Sequence, residues 1–326
     1  MSALPQVLRY SSDKEPGLSR RKCGKGFTYI TVSGDTVSDE ATLERIKLLG
    51  LPPAYKDVWI CADAQGHLQA TGRDERGRKQ YRYHTRWSNF RAQKKFDRLI
   101  DFADALPSLR RRIVRDLKQT RPTKSFVCAA LTRLIDRTSM RVGNVHYAEE
   151  NGSYGATTLK RKHVKFSEDR LSFDYRAKGG KRVRCTTSDK TLNKTLGLID
   201  ELPGQRVFQY IGETGDIHPL DSSDVNAYIG EDFSAKTFRT WRGSVSAFEI
   251  GFQEGPVTIK AMSEAAAETL YNTPTICRNS YIHPAIIDLA DMPPKEKERL
   301  IKKLKGDTQR GLRKSEAQCL AYLRQA

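Results

Sequence analysis

The sequence predicts an α+β protein made of a small β-rich N-terminal domain and a larger, mainly α domain. Two observations predict this class. Short runs of β-branched and aromatic residues, separated by turn residues, occupy the first part of the chain. Beyond Trp87 the apolar residues recur at helical spacing instead. The change puts the boundary near residue 88, so the predicted domains are residues 1–88 and 89–326.

Two segments of the first domain have the composition of β-strands. FTYITV, residues 27–32, is a short run of this kind, and VWICADAQGHLQATG, residues 58–72, predicts two strands around an Ala-Gln-Gly turn. With 326 residues, of which 38% are apolar, the chain is long enough to bury a core in each domain.

The second domain is predicted to be mostly helical with one β insertion. SFVCAALTRLIDRTSMRVGN predicts a helix that stops near Gly143 and Asn144, since both residue types favour a helix end. Residues 157–187 predict a three-stranded meander with Lys178 at the tip of its second hairpin. Further helical segments follow, and a basic helical tail begins near Lys295.

Charge is the strongest global signal. The chain has 57 Lys and Arg against 39 Asp and Glu, a formal net charge of +18, and the excess is spread along the whole sequence. Such a field attracts polyanions, and nucleic acid is the leading candidate. Ribosomal and chromatin-like packing proteins have similar charge, so the charge indicates a class of partner and not an activity.

The cysteines and the hydropathy profile bear on location. The six cysteines are scattered without zinc-binding spacing, so they predict reduced thiols in an intracellular protein and not a disulfide framework. The N-terminus has no apolar signal core, and no run approaches the length of a membrane span. A cytoplasmic protein without a membrane partner is expected.

Several residues have the chemistry to cut a phosphodiester without a metal. That reaction needs a nucleophile, rigid cations on the non-bridging oxygens and an acid for the leaving oxygen. The candidates, in chain order, are Arg141, Lys178, Arg239, Asn272 and Tyr281. Each of them alone has an ordinary explanation as a surface charge, a turn residue, a helix-packing residue or a core ring. The residues alone therefore predict only a basic two-domain protein that binds nucleic acid.

Taken together, these segments resemble the type IB DNA topoisomerases, in the compact form found in poxviruses and bacteria. The resemblance runs in the family's order from about residue 20 to about residue 290. Its N-terminal part consists of LPPAYKDVWI and ATGRDERGRKQYRYH, which resemble the segments entering and leaving the family's small β domain. The catalytic part consists of RVG around Arg141, FDYRAKGG for the F-D-x-x-x-K hairpin, AKTFRTW for K-x-F-R-T-[YW], and NTPTICRNSYIHP for H-T-P-x-I-[SC]-[KR]-x-x-Y.

The resemblance implies a role for each candidate. Tyr281 would attack the scissile phosphate and form a 3′-phosphotyrosyl link, Arg141 and Arg239 would hold the non-bridging oxygens, and Lys178 would protonate the departing 5′-oxygen. Neither ATP nor a metal nor any other cofactor is expected. Asn272 departs from the pattern, which commonly has histidine there. An asparagine amide can still donate a hydrogen bond to phosphate but cannot carry charge, and we expect the donor role.

For the first domain the resemblance implies DNA contact by Arg78, Gln80, Tyr81 and Tyr83, in the basic and aromatic segment GRKQYRYHTRW. The alternative is a strand with one core tyrosine and one exposed tyrosine. The resemblance further implies a monomeric, bacterial, nucleoid-associated enzyme that closes around duplex DNA as a C-shaped clamp with a basic channel, and relaxes supercoils by nicking one strand and resealing it.

Two other functions stay open at this point. Tyrosine recombinases and integrases use a similar set of residues but usually have His-x-x-Arg at the second arginine, where this chain has Lys-Thr-Phe-Arg at residues 236–239. A basic DNA-binding protein that has lost catalysis is the other alternative, and Asn272 is the residue that raises it.

Overall fold

The computed structural model describes residues 7–326, except the side chain of Tyr147. Packing divides the chain into two compact units, Met1–Lys95 and Phe96–Ala326. Strands dominate the first unit and helices the second, so the predicted α+β class is confirmed. The division between the units falls inside a helix that begins at Thr85.

The N-terminal unit is a five-stranded antiparallel sheet with one helix. Its strand order is β2-β1-β3-β4-β5. The strands are β1 Leu18–Cys23, β2 Gly26–Ile30, β3 Lys56–Ile60, β4 Leu68–Arg73 and β5 Lys79–Tyr83, and helix α1 is Glu40–Leu48. Ile46 of α1 packs with Ile60 and Ala70 of the sheet in a small core. Helix α1 was not predicted from the sequence. Asp39 caps it by accepting a hydrogen bond from the Thr42 N–H at 2.8 Å.

Strand β5 lies at the edge of this sheet and follows a tight turn. The turn requires a left-handed residue, which Gly77 supplies with φ of 73°. The Asp74 carboxylate accepts the backbone N–H groups of Arg76 and Arg78 at 3.0 and 2.9 Å and so closes the turn. As a result the basic and aromatic segment is held on an ordered edge strand.

The C-terminal unit is built around one large core formed by its helices. The helices are α2 Thr85–Asp116, α3 Lys124–Thr138, α4 Val145–Asn151, α5 Lys190–Asp200, α6 Ser222–Ile229, α7 Ala235–Gly251, α8 Ile259–Leu270, α9 Pro274–Ser280, α10 Pro284–Ile287, α11 Pro294–Leu304 and α12 Lys314–Leu323. Helices α3 and α7 contribute large side chains to this core: α3 buries Phe126 and Leu131, and α7 buries Trp241 and Phe248.

A small sheet interrupts the helices. Strands β6 Val164–Phe166, β7 Leu171–Arg176 and β8 Arg182–Thr187 form an antiparallel meander in that order. Alternate side chains of β7, those of Leu171, Phe173 and Tyr175, enter the core. A two-stranded ribbon, β9 Gln209–Ile211 with β10 Ile217–Pro219, follows α5.

A charged cluster ties the last helix to the middle of the unit. Arg110 of α2 makes bidentate hydrogen bonds to Asp136 of α3, at 2.8 and 2.9 Å, and to Glu316 of α12, at 2.7 and 2.9 Å. Glu316 is only 1% exposed, so its charge is stabilised by these paired donors and not by water. None of the helices in residues 7–326 is both long and apolar enough to cross a lipid bilayer.

Candidate active site

Arg239 is the most buried candidate. It lies on α7, is 3% exposed, and its guanidinium carbon lies 5.3 Å from the centroid of the Tyr281 ring. Its Nη2 donates to the Leu270 carbonyl at 3.0 Å and its Nη1 donates to the Ser139 carbonyl. The structure therefore brings two of the predicted residues, Arg239 and Tyr281, into contact.

The partners of Arg239 explain how a buried cation is tolerated. Ser139 is the left-handed cap of α3, with φ of 56°, and Leu270 is the last residue of α8, so the guanidinium sits at two helix C-termini. These ends carry partial negative charge, which favours a cation. Burial lowers the Arg239 pKa and the charge of Arg141 lowers it further, whereas Tyr281 raises it. An arginine remains protonated despite such shifts.

Arg141 follows the cap of α3 by two residues and is half-buried. Its carbonyl accepts the Ala156 N–H at 2.8 Å. The two backbones approach so closely at this point that a Cβ on Gly155 would lie 2.7 Å from the Arg141 oxygen. The Arg141 charge acts on Arg239, Tyr175 and Cys277, which places it at the same site.

Tyr281 is held between α9 and α7. It directly follows α9, where its N–H donates to the Cys277 carbonyl at 2.8 Å, and its own carbonyl accepts the Ser244 hydroxyl at 3.1 Å. Gly243 precedes Ser244 on α7, and a Cβ added to it would lie 3.1 Å from the Tyr281 Cβ. Because Arg239 and Gly243 are one helical turn apart, the same face of α7 contacts the tyrosine ring and its backbone.

Lys178 occupies the exposed tip between β7 and β8. Gly179 and Gly180 follow it with φ of 78° and 77°, values that favour glycine. The Ala177 N–H donates to the Lys181 carbonyl at 2.7 Å and closes the tip. Lys178 therefore lies on a Gly-rich hairpin tip, as predicted from the sequence.

Asn272 is half-buried and follows the left-handed cap of α8, Tyr271, whose φ is 51°. Its N–H donates to the Ala267 carbonyl at 2.9 Å, and its carbonyl accepts the Lys181 Nζ at 2.9 Å. Lys181 therefore links the Lys178 tip to the segment that leads to Tyr281. Lys181 was not among the residues predicted from the sequence, although it closes the same Ala-Lys-Gly-Gly-Lys turn.

Two further tyrosines surround the site and were not singled out from the sequence. Tyr175 is 4% exposed, and burial raises its pKa, while the charges of Arg239 and Arg141 act in the opposite direction. Burial likewise raises the pKa of Tyr271, and the charge of Arg239 lowers it. Both phenol groups therefore lie within the electrostatic field of Arg239. The only signal in the sequence is the alternation that buries Tyr175.

In the N-terminal unit the four predicted DNA-contact residues lie along or next to β5. Arg78 forms an ion pair with Asp74 at 2.7 Å, Gln80 donates to the same carboxylate at 2.9 Å, and Arg78 lowers the Asp74 pKa to about 2. Tyr81 and Tyr83 are 47% and 45% exposed, with stacked rings whose centroids are 6.2 Å apart. Both tyrosines are exposed, so the alternative with one core tyrosine is wrong.

We next consider the side chains that could bind a metal ion. Within residues 7–326 there is no group of three or more His, Cys, Asp or Glu side chains arranged to hold a metal ion. The six cysteines, all of them within that range, are unpaired, and burial raises the Cys277 pKa to about 11. Cys277 is therefore an apolar packing residue at neutral pH.

A β-sheet unit followed by a helical unit, with arginines gathered at a tyrosine on a strongly basic chain, defines a class of proteins that act on nucleic acid. Two family models match the chain along most of its length. Residues 84–276 match the model described as the catalytic core of eukaryotic DNA topoisomerase I. Residues 26–74 match the model described as the N-terminal domain of bacterial DNA topoisomerase IB.

Several characterised proteins are similar over most of this chain. DNA topoisomerase 1B of Acanthamoeba polyphaga mimivirus is 32% identical over 271 residues, which cover 81% of this chain and 78% of that protein. DNA topoisomerase 1B of Vaccinia virus (strain Western Reserve) is 22% identical over 287 residues, 82% of this chain and 88% of that protein. DNA topoisomerase 1 alpha of Arabidopsis thaliana is 25% identical over 231 residues, 67% of this chain and 24% of that protein.

The chain belongs to the type IB DNA topoisomerase family. It is an enzyme of the isomerase class, and the family resemblance predicted from the motifs is confirmed, whereas the recombinase alternative is not supported. The matched cores end before Tyr281 and leave out the segment from Glu75 to Tyr83. Roles for individual residues therefore depend on the geometry described above.

Proposed function

We propose that the chain relaxes supercoiled duplex DNA by cutting and rejoining one strand through Tyr281, without ATP or a metal ion. The observation that carries this proposal is the buried Arg239 guanidinium, 5.3 Å from the Tyr281 ring and within the field of Arg141. A fixed cation beside a phenol supports attack by its oxygen on a phosphate, because that attack concentrates negative charge between the two side chains.

The first step transfers the DNA strand to the protein. The Tyr281 oxygen bonds to the scissile phosphorus, the bond from phosphorus to the 5′-oxygen breaks, and a 3′-phosphotyrosyl ester forms. A free tyrosine has a pKa of about 10. Its proton is lost to water as attack proceeds, and the arginine charges favour the developing anion. Since the ester retains the energy of the broken bond, the reverse reaction needs no nucleotide.

Arg239 has hydrogen-bonding capacity left for the phosphate. Its Nε is buried and makes no hydrogen bond of normal geometry to the described residues, although the Tyr281 side chain lies near enough to raise the Arg239 pKa. A buried N–H without an acceptor costs about 1–3 kcal/mol, and a non-bridging phosphate oxygen is an acceptor that removes this cost. The carbonyls of Ser139 and Leu270 meanwhile fix the plane of the guanidinium. This arrangement suits an arginine whose orientation is set before the phosphate arrives.

Lys178 acts on the leaving group. An alkoxide is a poor leaving group, since even bulk water has a pKa of about 15.7. The Lys178 ammonium gives its proton to the 5′-oxygen as the bond breaks and recovers a proton from solvent. In the resealing step the neutral amine takes the proton back from the attacking 5′-hydroxyl, by microscopic reversibility. The exposed, Gly-rich tip supports this role because it leaves the amine accessible to DNA.

Asn272 serves as a neutral donor to a phosphate oxygen. Its amide does not titrate near neutral pH, so its contribution is independent of pH. The basic edge strand β5 is proposed to contact DNA through Arg78, Gln80, Tyr81 and Tyr83. The exposed, stacked tyrosines support this, because large exposed aromatics beside cations are typical of a binding surface. The clamp around duplex DNA remains a prediction.

The protein is further proposed to act as a monomer on the nucleoid, in the cytoplasm of a bacterium. The match of residues 26–74 to a bacterial N-terminal domain supports the source, and the net charge of +18 supports association with bulk DNA.

Relaxation of supercoiled plasmid in EDTA, without ATP, tests the proposal. Wild-type protein is expected to relax both positive and negative supercoils and to be trapped covalently on DNA by denaturant. Tyr281→Phe, which keeps the ring and removes the nucleophile, is expected to do neither. Unchanged relaxation and trapping by Tyr281→Phe would contradict the mechanism. Relaxation that required two specific sites would instead indicate the recombinase reaction, and no reaction by wild type would indicate a DNA-binding protein without catalysis.

A further inference from the structure

We infer that Lys181 is a positioning residue that fixes the Lys178 tip on the segment leading to Tyr281. The inference deepens the proposed function and depends on the proposed role of Lys178. It starts from one contact across the unit: the Lys181 Nζ donates to the Asn272 carbonyl at 2.9 Å.

The tip contains two consecutive glycines. Residues 177–181 connect β7 to β8, and Gly179 and Gly180 within them have left-handed φ values. Glycine has more conformational freedom to lose than any other residue, so a Gly-Gly tip is costly to order. An acid that must reach one particular oxygen within hydrogen-bond distance needs that order. The Gly180 N–H donates to the Ala177 carbonyl at 3.0 Å within the turn, and a contact from the hairpin to the rest of the unit adds to this order.

Lys181 supplies contacts on both sides. Its carbonyl accepts the Ala177 N–H at 2.7 Å, which closes the tip, and Ala177 itself is buried at 1% exposure. Its side chain crosses to Asn272. The tip that carries Lys178 is thus attached at its base in two ways. Ala177 is buried in the core, and Lys181 is hydrogen-bonded to Asn272, the first residue of the segment that leads to Tyr281.

The Lys181 ammonium group also lies near the helix that precedes Tyr281. The Lys181 charge lowers the pKa of Cys277, which places it near α9. The Cys277 carbonyl accepts the N–H of Tyr281. Lys181 therefore lies between the proposed acid and the helix that presents the nucleophile. Because its acceptor is the Asn272 backbone, the contact does not depend on which side chain stands at that position.

The test separates positioning of the acid from a general structural effect by changing the leaving group. A DNA substrate with sulfur in place of the bridging 5′-oxygen releases a thiolate, whose conjugate acid has a pKa near 8.5, and needs no proton from the enzyme. Single-turnover cleavage is measured on the oxygen and the sulfur substrate for wild type, Lys181→Met, Lys181→Arg and Lys178→Met.

Lys181→Met keeps the aliphatic stem and removes the donor. We expect it to slow cleavage of the oxygen substrate by about 10- to 100-fold, as expected when a reacting group is misplaced by about 1 Å, and to cleave the sulfur substrate at close to the wild-type rate. Lys181→Arg, which can still donate to the carbonyl, is expected to retain most activity on both. Equal slowing on both substrates, or no slowing on either, overturns the inference.

Two controls keep this outcome apart from others. Lys178→Met must also be rescued by sulfur. If it is not, the proposed role of Lys178 fails, and the inference about Lys181 fails with it. If Lys178→Met is rescued and Lys181→Met is not, only the inference fails and the proposed function stands.

A direct contact of Lys181 with DNA phosphate is the competing explanation. Such a contact would reduce the slope of log affinity against log salt by about one when the lysine is removed. We expect Lys181→Met to bind uncleaved DNA with the wild-type slope, and we expect the same of the matched variant Lys302→Met on helix α11. A reduced slope for Lys181→Met alone overturns the inference.

Discussion

Gly243 of α7 is in contact with Tyr281: a Cβ added to the glycine would lie 3.0 Å from the tyrosine carbonyl oxygen and 3.1 Å from its Cβ. The absence of a side chain at this point allows the helix that carries Arg239 to lie directly against the proposed nucleophile. The distance between the guanidinium and the ring is set by this close approach, and several expectations follow from it and from the packing around it.

Gly243→Ala tests that contact. The added methyl pushes Tyr281 away from α7, and cleavage is expected to slow by about tenfold or more, since misplacement of about 1 Å can cost 100-fold. The Leu270 methyl, 2.9 Å from the added atom, can rotate away, so the fold should survive. Single-turnover cleavage and thermal unfolding are measured together. The matched control is Gly197→Ala on α5, where no atom lies within 4 Å; it should raise stability by about 0.5–1 kcal/mol and leave cleavage unchanged. Equal rates for both variants would contradict the expectation.

Arg239→Lys tests the need for a planar, fixed guanidinium. Lysine keeps the charge but cannot bridge the Ser139 and Leu270 carbonyls while also contacting phosphate. Cleavage is expected to fall by about 100- to 1,000-fold, the usual loss when one such donor is removed. Arg242→Lys, on the same helix with an ion pair to Glu249 at 3.7 Å, provides the control and should retain activity. Wild-type cleavage by Arg239→Lys would show that charge alone suffices.

Asn272→His tests the neutral-donor role. An imidazole with a pKa near 6.5 introduces a titration that the amide lacks. The protonated ring donates more strongly to phosphate, so the cleavage rate relative to wild type should be highest below pH 6 and decline as the pH rises through the histidine pKa. Asn272→Ala, which removes the donor, should be slower than wild type by a similar factor at every pH. The readout is single-turnover cleavage between pH 5 and 8. A rate for Asn272→Ala equal to wild type would rule out any role for the side chain.

The cluster of Arg110, Asp136 and Glu316 predicts how stability depends on pH. Burial raises the pKa of Glu316, but Arg110 and Arg313 outweigh it, so the pKa is lowered on balance, and the same holds for Asp136. A carboxyl whose pKa is depressed by folding contributes stability above its unfolded pKa of about 4, and this is lost as pH falls through the folded value. The stability against thermal unfolding should therefore decrease below about pH 4.

Glu316→Gln isolates this contribution. Removing one partner of a buried pair is expected to cost about 3–5 kcal/mol at pH 7, and the variant should lose less stability than wild type on acidification. Glu298→Gln removes an exposed carboxylate that pairs with Lys302 at 2.9 Å and should leave the melting temperature unchanged. The expectation is wrong if the two variants melt alike at pH 7.

Local pattern was enough for much of the fold. The β-then-α order, the strands around residues 58–72 and the three-stranded meander follow from periodicities and turn residues that neighbours in sequence determine. The end of α3 was predicted near Gly143 and Asn144 but lies at Thr138, because Ser139 takes the left-handed cap conformation with φ of 56°. Helix α1 was missed because only Ile46 of it is fully buried, so it has no clear apolar stripe. The candidate set Arg141, Lys178, Arg239, Asn272 and Tyr281 came from motifs in order and not from periodicity.

By itself the sequence determined the class of fold, the basic charge and the identity of the candidate residues, because these depend on composition and on short-range pattern. Only the tertiary structure decided that Arg239 is buried at the ends of α3 and α8, 100 and 31 residues away, and that Lys181 reaches Asn272 across 91 residues. Such contacts depend on how whole helices and hairpins pack in one core. The local sequence around a residue does not indicate which distant segment will pack against it.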